Sequence, residues 1–359
     1  MNYAHKVLDT LTSKSMYGRG YVEKGDKIAA DYISQQFQKF NLNKFNKDYY
    51  QSFNLTVNTF PGDLYLKING KTLTPGKDYI VDPSSSGGKK DYNFIKSNKT
   101  KSDIESIVEI KEEKKKLTMD VSHEFSKVGF TVLQSSIPDT IKEVSFKIEN
   151  KLLKDYQTQN IIGYVKGSVY PDSFLVFTAH YDHLGEMGKD TYFPGANDNA
   201  SGITMLLNLA EYYSKKENTP KYSIAFIAFS GEEAGLIGSH YYVQHPLFPL
   251  SKIKFLVNMD IMGTGDEGMM VVNGTVFDDE YNRLIAINNN KHYLTDIPKR
   301  PKAAISDHYF FTEAGVRCFF FYTLGGIKAY HDIYDKAETL PLTKFEDIFR
   351  LIRDFVETF

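Results

Sequence analysis

FLVFTAHYDHLG at residues 174–185, followed by FPGANDNASG at 193–202, is the part of the chain around which the rest can be arranged. The apolar run Phe174, Leu175, Val176, Phe177 has the length and composition of a buried strand. His180 and Asp182, two residues apart near its end, leave the same face. Sixteen residues after Asp182, Asp198 stands between Gly195 and Gly202, just ahead of a helix predicted over 203–213. An imidazole and a carboxylate at a strand end therefore face one crevice with a second carboxylate held at a loop-to-helix junction.

Outward from this stretch, everything after residue 155 alternates between strands and helices. NIIGYVKG, FLVFTAH, YSIAFIAFS, KIKFLVNMD, MVVNG and RCFFFYT read as strands, with helices predicted from Ile203, Gly235 and Thr343. Near-continuous apolar strands separated by helices predict an α/β fold with a mixed, mostly parallel central sheet covered by helices on both faces. Ligands in such sheets bind at the carboxyl ends of the strands. Those ends carry His180 and Asp182, then Glu232 and Glu233, then Asp260. Before residue 55, Ile28, Ala29, Tyr32, Ile33, Phe37 and Phe40 recur at helical steps. Between 55 and 150 the pattern changes to short alternating runs such as LYLKI and FTVLQ, an Asn69-Gly70 hairpin signal, SSSGG after Pro83 and a charged KEEKKK run at 111–116. The division expected is a catalytic domain of residues 1–54 and 151–359, with a smaller β-rich inserted lid domain at 55–150. The KEEKKK run reads as a solvated face.

Composition narrows the chemistry. A net charge of −2, from 43 basic and 45 acidic residues, gives no cationic field for nucleic acid and no polybasic membrane patch. Apolar runs are strand length, so no membrane-spanning helix is expected, and MNYAHKVLDTL at 1–11 lacks the apolar core of a signal peptide. Cys318 is the single cysteine, which rules out an internal disulfide and a thiolate metal cluster; VRCFFFY around it reads as core. A metal here must use histidine and carboxylate.

Five such ligands fall at strand ends or loops: His180, Asp198, Glu233, Asp260 and His331. Mixed imidazole and carboxylate sets suit zinc, whereas calcium and magnesium seldom recruit two histidines. With one carboxylate bridging, and Asp198 is the candidate, the set can hold two metals roughly 3.5–4 Å apart. Glu232, beside Glu233, can act as the general base. Asp182 fits a carboxylate that receives the second ring N–H of His180 and fixes its tautomer. Each residue alone has a plainer reading: Asp198 as a helix N-cap, Glu232 and Glu233 as a polar helix start.

Taken in order, HYDHLG, GANDNASG, SGEEAGLIGS, NMDIMG, SDHYFF and YHDIYD resemble the co-catalytic di-zinc exopeptidase family of bacterial leucyl aminopeptidases, glutamate carboxypeptidases, glutaminyl cyclases and the transferrin receptor. MYGRG at 16–20 and GDKIAADYI at 25–33 are similar to secreted bacterial members, whereas 55–150 is much less so. The resemblance implies that His180 and Asp260 bind one zinc, Glu233 and His331 the other, and Asp198 bridges them. It further implies Glu232 as general base, Asp182 as the His-orienting acid, Tyr330 as a donor to the developing oxyanion, a cis peptide after Asp198, and a secreted or periplasmic location. Tyr330 can also be read as a packing aromatic. Asp307 and His308 match the family without a derivable role; His183, His240 and His245 are read as structural.

Three functions compete. The first is an aminopeptidase carrying two Zn2+ per chain and acting on peptides with a free N-terminus. The second is a glutaminyl cyclase with a single zinc, and the third an inactive binding protein of the same fold. The complete ligand set and base favour the first. A carboxypeptidase would need an arginine fork for the substrate's terminal carboxylate, and residues 55–150 contain no arginine. Oligomeric state and preferred side chain are not legible.

Overall fold

The computed structural model describes residues 1–93, 108–123 and 127–359; the rest of the expected inserted domain, 94–107 and 124–126, lies outside the described residues. Eight strands form the main sheet: β1 (Tyr50–Thr59), β2 (Lys151–Val165), β3 (Tyr170–His180), β4 (Tyr222–Phe229), β5 (Ile253–Met259), β6 (Gly268–Val272), β7 (Lys299–Arg300) and β8 (Cys318–Leu324). Their order is β1-β2-β4-β3-β5-β8-β6-β7. The four central strands β4, β3, β5 and β8 are parallel, and antiparallel pairings flank them at β1–β2, β2–β4 and β8–β6. The sheet is thus mixed and mostly parallel, with helices on both faces.

The apolar runs are continuous because both faces of the central strands are covered. Leu175, Phe177 and Ala179 of β3, with Ile224, Phe226 and Ala228 of β4, point into one core. Helices α1 (Asn2–Leu11), α2 (Gly25–Lys39), α3 (Ser201–Ser214), α5 (Asp278–Lys291) and α7 (Phe345–Val356) supply its other wall. The intervening Phe174, Val176, Ala225, Ile227 and Phe229 point the other way, toward Tyr242 of α4 (Ile237–Gln244) and Phe311 of α6 (His308–Glu313). Each of the larger side chains among these contributes about 1.5–3 kcal/mol by leaving water. Cys318, at the start of β8, is fully buried in this second core, its sulfur 3.0 Å from the Thr312 hydroxyl.

Strand pairing carries the main sheet to Thr59 and resumes it at Lys151. Between these points lie a four-stranded sheet (Lys71–Thr72, Leu64–Ile68, Glu143–Ile148, Gly88–Asn93) and a three-stranded one (Tyr79–Val81, Val128–Leu133, Val108–Glu113). Asn69 and Gly70 form the expected tight turn, both with positive φ. The core of this inserted unit also takes Leu184, Met187 and Phe193 from the loop that follows β3.

The N-terminal segment runs backbone against backbone along that loop. A Cβ on Gly20 would sit 2.4 Å from the Gly185 Cα, and one on Gly18, whose φ is +59°, would meet the Gly185 carbonyl at 2.4 Å. Glycine is required at both places by the close approach.

Candidate functional site

His180 is the last residue of β3, Asp260 directly follows β5, Glu232 and Glu233 lie in the turn after β4, and His331 is on the loop after β8. Three of these groups thus leave adjacent parallel strands at the same end, where the loops diverge and open a crevice. Asp198 reaches them from the loop ahead of α3; its peptide bond to Asn199 is cis, as the resemblance implies. The two carboxylate oxygens of Asp198 face different histidines: Oδ1 is 3.4 Å from His180 Nε2, and Oδ2 is 3.1 Å from His331 Nε2. Asp260 Oδ2 lies 3.3 Å from His180 Nε2, while Glu233 Oε2 lies 3.2 Å from His331 Nε2. Glu232 belongs to the His180 side, with Oε2 at 4.0 Å from that ring nitrogen.

A surrounding layer fixes these groups. The Nδ1 of His180 meets the Asp182 backbone oxygen at 3.2 Å, with the Asp182 carboxylate farther away at 3.8 Å. This corrects the sequence expectation: the ring N–H goes to the main chain, and the carboxylate instead accepts from Tyr21 Oη and the Glu232 N–H. Its effect is to pin the turn that carries Glu232. His183, read as structural, has Nδ1 2.7 Å from Glu233 Oε1 and so orients that carboxylate. Asp335 accepts the backbone N–H groups of Asn197 and Asp198. Arg19 is completely buried and donates to the carbonyls of Leu11, Tyr181, Pro194 and Gly195. His183, Arg19 and Asp335 all stand inside motifs quoted above, so the signal was present, but their roles depend on tertiary contacts.

Electrostatics test whether cations suit the cluster. Burial works against charge on His331, yet Glu233 and Asp198 lift its pKa to about 11. Burial likewise opposes charge on His180, and Glu232, Asp260 and Asp198 nevertheless raise it well above the usual imidazole value. Asp198 resists burial because both histidines donate to it, which holds it well below the carboxylate range. Burial, then Glu233, Asp307 and Asp260, raise Glu232, with His180 opposing them. Among the described residues, the only cationic groups within salt-bridge distance of Asp198, Glu233 and Asp260 are histidines. Asp260 Oδ1 is buried without a hydrogen-bond partner among the described residues. A crowded anionic cluster with an orphaned carboxylate oxygen and two converging Nε2 atoms fits divalent cations.

A cleft of about 250 Å³ opens beside Asp198, lined in part by Ile261, Thr323, Leu324, Ile327, Lys328 and Tyr330. Tyr330 is exposed and stacks flat on His331, with ring centroids 4.0 Å apart. Asp307 and His308 are both fully buried behind the site, and burial pushes the Asp307 carboxyl up to about 7. Ser306, next to them, donates to Asp260 Oδ2. The inserted unit also reaches the site: Met119 and His331 exchange two hydrogen bonds.

The profile of peptidase family M28 matches residues 160–356. Aminopeptidase YwaD of Bacillus subtilis (strain 168) is 32% identical over 182 residues, 49% of this chain and 37% of that protein. A probable zinc metalloprotease of Pyrenophora tritici-repentis is 37% identical over 113 residues, 30% of this chain and 23% of that protein. The chain thus spans well under half the length of either relative. Among solved structures, BSAP, a zinc aminopeptidase from Bacillus subtilis, superposes with a TM-score of 0.71 at 20% identity, covering 99% of this chain and 94% of that one. At such identity the likeness speaks for the fold. No helix among the described residues is long and apolar enough to cross a membrane.

Proposed function

Since the chain belongs to peptidase family M28, we propose that it is a zinc-dependent aminopeptidase that removes residues from peptides with a free N-terminus. The observation that carries this reading is the placement of Asp198, one carboxylate oxygen toward each of two histidines. His180 and Asp260 would hold one zinc ion and Glu233 and His331 the other, with Asp198 shared between them. Bound there, the ions would supply Lewis-acid polarisation of the scissile carbonyl and make water acidic enough to ionise near neutral pH. Glu232 accepts the proton of the attacking water at its carboxylate and hands it to the leaving amine. Tyr330, at the mouth of the cleft, offers its hydroxyl to the developing oxyanion. Asp182 keeps Glu232 aimed by accepting its backbone N–H.

The direction of trimming follows from the charges available. A free α-amine needs carboxylates, and this site is lined with them. A terminal carboxylate needs a guanidinium fork, and the arginines are engaged elsewhere. Arg19 is bound to carbonyls, Arg283 and Arg317 to Glu280, Arg300 to the Tyr322 hydroxyl, Arg350 to Glu346 and Arg353 to Asp354. No arginine lines the cleft; Ile261, Leu324 and Ile327 there suit an apolar first side chain. Location outside the cytoplasm is part of the same proposal, supported by the resemblance to secreted members, and fractionation of expressing cells checks it.

Dialysis against a chelator should abolish hydrolysis of aminoacyl anilides, and added zinc should restore it with two ions per chain. Acetylation of the substrate amine should lower kcat/KM by at least about a hundredfold, the loss of roughly 3 kcal/mol expected when a charge-assisted contact is removed. Efficient cleavage of N-acetylated substrates ending in an acidic residue, with inactivity toward free amines, would reverse the assignment. One zinc per chain with cyclising activity would favour the glutaminyl cyclases.

A further inference from the structure

The two halves of the site are supported by different parts of the molecule. His180 Nδ1 is satisfied by the Asp182 carbonyl, two residues beyond the end of its own strand. His331 Nδ1 has no such local partner and instead lies 3.0 Å from the Met119 carbonyl, 212 residues away in the inserted unit. The Met119 N–H donates back to the His331 carbonyl at 2.8 Å. His331 has φ +53°, a left-handed conformation uncommon for residues other than glycine, and this reciprocal pair holds it there. Three residues before Met119, the Lys116 ammonium donates to the carbonyls of Lys328 at 2.9 Å and Tyr330 at 3.2 Å. It also lies 3.5 Å from Asp332 Oδ2, and Asp332 accepts the N–H of Tyr334. Beyond Met119, the Ser122 carbonyl accepts the Asn58 N–H, and the His123 ring approaches Thr56 and the space above Gly235. Residues 116–123 therefore form a strap from the His331 loop across to β1.

We propose that this strap is a positioning element of the second metal site. The Met119 carbonyl accepts the Nδ1 proton of His331, so Nε2, the nitrogen beside Asp198 and Glu233, is the one left to bind zinc once it gives up its proton. Lys116 clamps the 328–332 turn that presents the ring. Hydrogen-bond partners of this kind hold a metal-binding histidine in one tautomer and orientation, and losing one typically weakens binding about 10–100-fold. The inserted unit thereby sets the affinity of the Glu233 and His331 side, while the His180 and Asp260 side is set by the main sheet. This rests on the reading of His331 as a zinc ligand.

The test is zinc binding by the full chain, measured by equilibrium dialysis against buffered free zinc. Lys116 is 44% exposed, so Lys116→Met removes the clamp without opening a core. Wild type should bind two ions; Lys116→Met should bind one unchanged and the other about 10–100-fold more weakly, and Lys116→Arg should recover most of the loss. Two unchanged affinities in Lys116→Met, or equal weakening of both, would overturn the proposal. A wild-type chain that binds fewer than two ions would instead overturn the di-zinc reading beneath it.

Discussion

Glu232→Gln is expected to keep both metals while kcat falls by about three orders of magnitude, within the range attributed to general acid–base catalysis. The two adjacent glutamates differ in where they look. The Glu232 side chain is 13% exposed, whereas Glu233 is 3% exposed and enclosed between His183 and His331. Glutamine keeps the size of Glu232 and its backbone bond to Asp182, but its amide cannot take a proton from water. Glu233→Gln should do the opposite. It removes an anionic oxygen facing His331 and puts an amide against the His183 N–H, so metal content should drop first and activity with it. Measuring zinc content and kcat on the same preparations separates the roles. Turnover near wild type in Glu232→Gln would remove this residue from the mechanism.

Arg19→Met should cost about 4 kcal/mol or more, among the largest losses a single substitution produces. Burial pulls the Arg19 pKa down to about 10, with Asp198, Asp335, Asp182 and Glu233 opposing, so the guanidinium is still charged at neutral pH. It is satisfied by carbonyls alone, at 2.7–2.9 Å from Leu11, Tyr181, Pro194 and Gly195. Methionine fills most of the volume but removes the donor to the Leu11, Tyr181 and Pro194 carbonyls, while Gly195 keeps the Ala200 N–H; a buried acceptor left unpaired costs about 1–3 kcal/mol. Because Pro194 and Gly195 belong to the loop that delivers Asp198, zinc affinity should fall together with stability. Denaturant unfolding of metal-free and zinc-loaded protein measures both effects. A destabilisation under about 1 kcal/mol would show that the loop is held by other means.

Most of the scaffold can be read from the sequence because its signals are local. The β3 run alternates between two cores, and that double burial makes the pattern continuous rather than alternating. Helix α1 was not anticipated although Ala4, Val7, Leu8 and Leu11 carry the helical spacing; no side chain caps its start, and polar residues fill the gaps. In α2, Ile28 belongs to the predicted stripe but is exposed, while Ala30 is fully buried. The five ligand candidates were legible because each sits at a strand end or glycine-rich junction, and the structure brings them within a few ångströms of one another. Two kinds of contact stayed hidden. Backbone acceptors such as those of Asp182 and Met119 leave no trace in residue identity. The path of the inserted unit back to His331 depends on how its two small sheets pack, which no local pattern encodes.

The lone Cys318 turns the protein into its own stopwatch. Burial raises its thiol pKa to about 12, against weaker help to the thiolate from Thr312 and Asn273. Only the thiolate reacts with alkylating reagents, so the folded chain is nearly inert to them and modification counts the moments when the core around β8 opens. Pulsed alkylation read by mass can therefore time that opening with and without zinc on the unaltered sequence. A cysteine engineered onto any exposed position would, by the same token, accept a dye with almost no background from the native one.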